Sequence, residues 1–155
     1  MRDAKIEHRI GVAAPPYVVW ELLQDLESWP SWNPIYSKIQ GRLGYGEEVH
    51  LTCQLPDQPA PLELVATIIE WVPDEQIHWT TKGPYGLVRT TRYIEIDKLT
   101  EEACIFANGE LIQGFLAKST TRRLGRSMWK GFELMGETVK ARAEAMWAER
   151  KQTAP

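Results

Sequence analysis

The sequence is poor in the residues that most metal, thiol and redox chemistry requires. Its 155 residues include two cysteines and three histidines, and none of them has His-x-x-x-His or Cys-x-x-Cys spacing. Carboxylates are not grouped into a cage either, so no metal site and no cofactor are expected. Cys53 and Cys104 both sit in strand-like segments, which points to buried free thiols and away from a disulfide. No apolar run approaches the roughly 20 residues that cross a bilayer, and no signal peptide is evident. The expectation is a cytoplasmic protein without a transmembrane segment. A Gly-x-Ser-x-Gly elbow is absent, and Gly41, Gly44 and Gly46 lack the strand-to-helix setting of a dinucleotide loop.

What is present is the composition of an ordinary folded domain: 43% apolar, 25% charged, net charge −3. The length suits one domain over 1–155 with a sizeable core, its tail from about 151 expected to be disordered. Seven tryptophans are the one excess. Charge is uneven: 9 basic and 17 acidic residues up to Gly114, then 9 basic and 4 acidic from Phe115 onward. A basic segment of that kind raises nucleic acid or an anionic membrane as partners. Glutamates interleaved along it favour a solvated helix face attracted to the rest of the domain, and no nucleic-acid partner is expected.

Hydrophobic periodicity supplies the elements. Leu124, Met128, Phe132, Met135, Val139, Ala143 and Met146 recur at three- and four-residue steps, predicting one long helix over 116–151. Ser119, Thr120 and Thr121 offer N-cap hydroxyls near its start. Alternation over 4–12 predicts a half-buried strand with Ile6, His8, Ile10 and Val12 on one face. A short helix follows over 17–26, then a compact turn carrying Trp29 and Trp32 between prolines. Strands are expected at 36–40, 47–55, 62–72, 76–82, 88–97 and 103–113, with a loop at 82–86. Short turns between consecutive strands imply an antiparallel meander.

Three stretches in this order resemble the START-related helix-grip superfamily (SRPBCC), in particular its polyketide cyclase/dehydrase-like branch. They are Ala14-Pro15-Pro16-Tyr17-Val18-Val19-Trp20 running on to Trp29-Pro30-Ser31-Trp32-Asn33-Pro34, then Glu70-Trp71-Val72-Pro73 with Ile77-His78-Trp79, then Asn108-Gly109-Glu110-Leu111-Ile112-Gln113-Gly114 leading into the long helix. The resemblance implies an α+β fold. A curved seven-stranded antiparallel sheet would wrap around a long C-terminal helix, with two short helices after the first strand. It further implies a cavity for an apolar molecule between sheet and helix, with Trp32 near its mouth. Relatives often carry an imidazole where Asn108 stands, and its absence here weakens an enzymatic reading.

Parity places the candidate polar residues. Arg92 and Ile94 share a face of one strand, and Phe106, Asn108 and Glu110 share a face of the next. Pairing Asp97 with Ala103 makes Arg92 and Glu110 diagonal neighbours. Three outcomes stay open for the pair: polar residues lining a cavity, a structural ion pair, or side chains in solvent after a register slip. His8, on the apolar parity of the first strand, reads as a hydrogen-bonded core residue. The leading expectation is binding of a small, largely apolar ligand (lipid-, isoprenoid- or aromatic polyketide-like) against Met128, Phe132 and Met135. Trp32, Ile94 and Phe106 complete the candidate site, and Arg92, Asn108 and Glu110 orient the ligand. The alternatives are a cyclase or dehydratase using Glu110 and Arg92 as catalytic groups, and a protein-interaction module, although no feature indicates a protein partner.

Overall fold

A computed structural model describes residues 3–82 and 86–154, and the central part of the loop expected at 82–86 lies outside them. The chain runs β1 (Ala4–Val12), α1 (Pro16–Gln24), a 3-10 turn at Leu26–Ser28, α2 (Trp29–Trp32), β2 (Tyr36–Gln40), β3 (Glu48–Cys53), β4 (Leu62–Val72), β5 (Gln76–Lys82), β6 (Arg89–Thr100), β7 (Ala103–Gln113) and α3 (Ala117–Thr153). The seven strands form one antiparallel sheet in the order β1-β7-β6-β5-β4-β3-β2. From β2 onward this is the expected meander, and β1 closes it by pairing with β7. The two short helices therefore carry the chain from one edge of the sheet to the other. The sheet curls and α3 lies along its concave side, which is the helix-grip arrangement.

Local chemistry fixes these boundaries. Pro16 occupies the first turn of α1, where its missing N–H costs nothing, and the helix buries Val18, Val19, Trp20, Leu22 and Leu23. At the end of α2 the Asn33 Oδ1 accepts from the backbone N–H of Ile35 (3.0 Å) and of Tyr36 (3.2 Å), turning the chain into β2. Trp29 is fully buried, and its Nε1 donates to the Leu23 carbonyl at 2.9 Å. The two cysteines are buried free thiols, as their strand positions suggested.

The α3 helix is 37 residues long, about 55 Å. Its buried stripe includes Met128, Phe132, Met135, Val139 and Ala143, as the periodicity predicted. Its ends differ from expectation. Leu116 is the N-cap and makes no side-chain cap bond. Ser119, Thr120 and Thr121 lie inside the first turns, where Thr121 Oγ1 donates to the Ala117 carbonyl at 2.8 Å. At the other end the helix continues through 151 to Thr153, where disorder was expected. An ion pair from Arg150 to Glu21 of α1 ties the last turns down. Side chains of α3 also serve the end of edge strand β1. Lys140 Nζ donates to the Gly11 carbonyl (2.8 Å), and Glu144 Oε2 accepts from the Ala13 N–H (2.7 Å). Partial burial raises the Glu144 carboxyl, but the Ala13 N–H and the Lys140 ammonium at 2.7 Å outweigh it and hold the carboxyl below its usual range.

The β6–β7 hairpin corrects the expected register. Strand β6 continues to Thr100, which faces Ala103 across a two-residue turn, and the pairing shifts at Leu99. Asp97 consequently faces Ile105, Ile94 faces Asn108, and Arg92 faces Glu110 directly. The displacement is two residues, so every side chain keeps its expected face.

Candidate functional site

Arg92 is the buried polar centre of the concave face, 1% exposed. Strand parity turns it inward, and residues from four elements then saturate its fork. Nε donates to Tyr36 Oη (2.9 Å), Nη1 to the carbonyls of Tyr93 (3.1 Å) and Gly109 (3.2 Å), and Nη2 to Asn108 Oδ1 (2.9 Å) and Met135 Sδ (3.2 Å). All five N–H groups are used. The Phe132 ring lies 4.3 Å from the guanidinium carbon, with Tyr36 and Trp79 each at 5.9 Å. Asn108 in turn donates to the Phe132 carbonyl at 3.1 Å, joining sheet to helix. Arg92 is thus held entirely by neutral groups, and among the described residues no salt bridge joins it to Glu110.

Glu110 is turned another way. It borders a recess of about 420 Å³ between the sheet and the first half of α3. The walls are mostly apolar: Leu55, Leu64, Val88, Leu124, Met128 and Phe132. Tyr36, Cys53 and Trp79 line it as well, and exposed Leu62 and Val65 stand at its rim. No hydrogen bond to the Glu110 carboxyl forms among the described residues. Burial pushes its carboxyl up to about 7 against the pull of the Arg92 charge, so acid and carboxylate coexist near neutral pH. Burial also raises the Tyr36 hydroxyl well above its ordinary value, and Arg92 only partly offsets this. The Tyr36 oxygen accepts from Arg92, while its own proton has no acceptor among the described residues. Cys53 is pushed up to about 12 and Cys104 to about 11 by burial, so neither is a thiolate nucleophile at neutral pH.

Of the residues singled out from sequence, Glu110, Met128 and Phe132 line this recess. Arg92, Asn108 and Met135 form the polar cluster behind it. Ile94 and Phe106 are packed in the core, 1% and 0% exposed. Trp32 is buried beside Trp29, its Nε1 donating to Ser28 Oγ at 3.1 Å, and does not line the recess. His8 departs from the hydrogen-bonded core residue expected: its Nδ1 is buried without a partner among the described residues, against Gly136 of α3. Tyr36, Cys53, Trp79 and Leu124, none of them a candidate site residue from sequence, also border the recess. Leu124 stood on the helix stripe, and the inward parity of Trp79 beside Ile77 was available. Tyr36 had no comparable signal, because it meets Arg92 only through folding across 56 positions. No group of three or more His, Cys, Asp or Glu side chains capable of holding a metal occurs among the described residues.

A curled antiparallel sheet gripping a C-terminal helix, with a recess between them, defines a helix-grip protein. The chain belongs to the polyketide cyclase/dehydrase and lipid transport family, whose model matches residues 3–148. Solved structures agree on the fold. The Zhui aromatase/cyclase from Streptomyces sp. R1128 superposes with a TM-score of 0.75 at 16% identity, over 99% of this chain and 98% of that one. Norcoclaurine synthase from Thalictrum flavum, in complex with a transition-state analogue, gives 0.70 at 14% identity over 94% and 96%. A hypothetical protein from Helicobacter pylori gives 0.73 at 12% identity over 90% and 88%. No curated protein matches the sequence. Among the described residues no helix is long and apolar enough to cross a membrane.

Proposed function

We propose that the protein binds a small, largely apolar molecule bearing one polar group, seated in the recess between sheet and α3. The observation that carries this reading is the recess itself: apolar walls converging on the Glu110 carboxyl, which has no partner among the described residues, with the Tyr36 hydroxyl, its proton likewise without an acceptor among them, also bordering it. Burial of apolar surface, at about 25 cal/mol per Å² before association costs, supplies affinity. Glu110 and Tyr36 orient the polar group, and Arg92 holds Tyr36 in place. Aromatic, isoprenoid and lipid-like molecules all fit this description. A fold neighbour, norcoclaurine synthase, has been solved with dopamine and hydroxybenzaldehyde, which supports an aromatic guest. The test is to unfold the purified protein in organic solvent and analyse what it releases by mass spectrometry. A stoichiometric apolar compound is expected. A protein that releases nothing and fails to bind an apolar fluorescent dye in solution would contradict the reading.

One observation favours a second reading, cyclase- or dehydratase-type catalysis in the same recess. A carboxyl near 7 in an apolar site is placed for both halves of a proton transfer. Glu110→Gln separates the two. In an enzyme using Glu110 as general acid or base, turnover falls by about 10²–10⁴-fold while binding survives. In a carrier, only affinity shifts, by about 1–2 kcal/mol.

A further inference from the structure

Around the mouth of the recess the protein breaks local electrostatic rules that it respects elsewhere. Lys82 and Arg89 face each other directly where β5 and β6 pair, an arrangement in which like charges repel. Lys118 stands in the first turn of α3, which has no acidic residue, at the positive end of the helix dipole. Arg122, Arg123 and Arg126 follow, all exposed, and the sequence from Phe115 to Phe132 contains no Asp or Glu. Among the described residues none of these six cations forms a salt bridge. Elsewhere most cations are paired, as in Arg9–Asp97, Arg42–Glu47, Lys98–Glu101 and Lys140–Glu144, and among the described residues Lys38, Arg142 and Lys151 stand singly. Apart from Glu110 inside the recess, nearby acids are engaged. Asp57 holds Lys130 at 2.7 Å, Glu63 accepts from Thr52, and Asp3 accepts from Gln113.

Apolar side chains stand exposed among these cations. Phe115 is 76% exposed, Val65 53% and Leu87 40%. The Leu116 N–H donates to the Leu87 carbonyl at 2.9 Å, which keeps Phe115 and Leu87 at the same end of the molecule. Lys82 and Val65 line the recess, and so do Val88 and Thr120, neighbours of Arg89 and Lys118 in the chain, so this surface adjoins the recess. Cations alone would suit nucleic acid equally well. Exposed Phe115, Leu87 and Val65 need an apolar phase, which a phosphate backbone does not offer and a lipid surface does.

We infer that this end of the molecule docks on an anionic membrane surface. Lys82, Arg89, Lys118, Arg122, Arg123 and Arg126 meet the lipid phosphates, and Phe115 and Leu87 enter the interface. Contact with the bilayer then places the recess mouth against the phase from which an apolar ligand would enter. Docking itself does not depend on what fills the recess. Co-sedimentation with vesicles tests it, comparing phosphatidylcholine alone with vesicles in which about a third of the lipid is phosphatidylserine. Binding is expected only to the anionic vesicles and should weaken as salt rises. Replacing Arg122, Arg123 and Arg126 by Gln should weaken it by about 100-fold, about fivefold per charge. Phe115→Ser should weaken it at high and low salt alike. Arg142→Gln, which removes an exposed cation from the far half of α3, should leave it unchanged. Equal binding to neutral vesicles, absence of binding to anionic ones, or equal loss in the Arg142→Gln control would overturn the inference. So would binding to a duplex oligonucleotide without binding to vesicles. Dye binding to the recess in solution, measured on the same triple variant, should be unaffected, which separates failure of docking from failure of the ligand reading.

Discussion

Arg92 and Glu110 face each other across two strands, yet their environments push them to opposite solutions. The guanidinium is satisfied by five neutral acceptors. The carboxyl has no partner among the described residues and retains its proton up to about 7. Native protein therefore binds more protons than unfolded chain between the ordinary carboxylate range and about 7. Stability must fall as pH rises through that window and level off above it. The loss attributable to Glu110 is about 2–3 kcal/mol. Urea unfolding at pH 5 and pH 8 measures it: Glu110→Gln should remove a decline of that size from the pH profile. An unchanged profile in the variant would mean that Glu110 does not carry the raised proton affinity. Strand parity alone turned both residues inward, and the two-residue register error left that prediction intact. The direction of each side chain along the concave face was not legible, because it depends on Tyr36 and Met135 arriving from distant parts of the chain.

At the scale of elements, α3 shows what periodicity can and cannot reveal. Its apolar stripe, its length and its partner surface were readable, since buried residues every three or four positions leave few alternatives. Its ends were not, because the N-terminus uses no side-chain cap and the C-terminus is held by Arg150 reaching Glu21 of α1. Nor do the helix's glycines reveal their roles in sequence. A Cβ on Gly125 would make ordinary contacts of 3.5 Å with Ile6 and Thr121, whereas a Cβ on Gly136 would lie 2.8 Å from His8 Nδ1. Intrinsic propensity favours alanine over glycine at both sites by up to about 1 kcal/mol. Gly125→Ala should accordingly stabilise the protein by about 0.5–1 kcal/mol in urea unfolding. Gly136→Ala should destabilise it, because the gain is outweighed by forcing apart the β1–α3 contact at His8. Equal effects at the two sites would show that α3 does not pack on β1 as closely as described.

For the whole molecule, the decisive feature is that the sheet and helix meet tightly along one half of α3 and part along the other. Sequence places Met128 and Met135 on one apolar stripe and assigns both to the wall of a ligand space. In the folded protein, Met128 borders the recess, while Met135 is fully buried with its sulfur against Arg92 Nη2 at 3.2 Å and Asn33 Nδ2 at 3.8 Å. The difference arises from the curvature of the sheet, a property of seven strands together that no single stripe encodes. The same substitution at the two positions should therefore behave in opposite ways. Met128→Trp adds volume where there is space, so it should reduce binding of an apolar dye with little change in stability. Met135→Trp overpacks a filled core and disturbs the Arg92 cluster, costing about 1–3 kcal/mol in urea unfolding. Dye titration and unfolding on both variants make the comparison internal to one protein. If Met128→Trp destabilises as much as Met135→Trp and leaves dye binding intact, the recess is closed in solution, and the ligand must be sought elsewhere on the molecule.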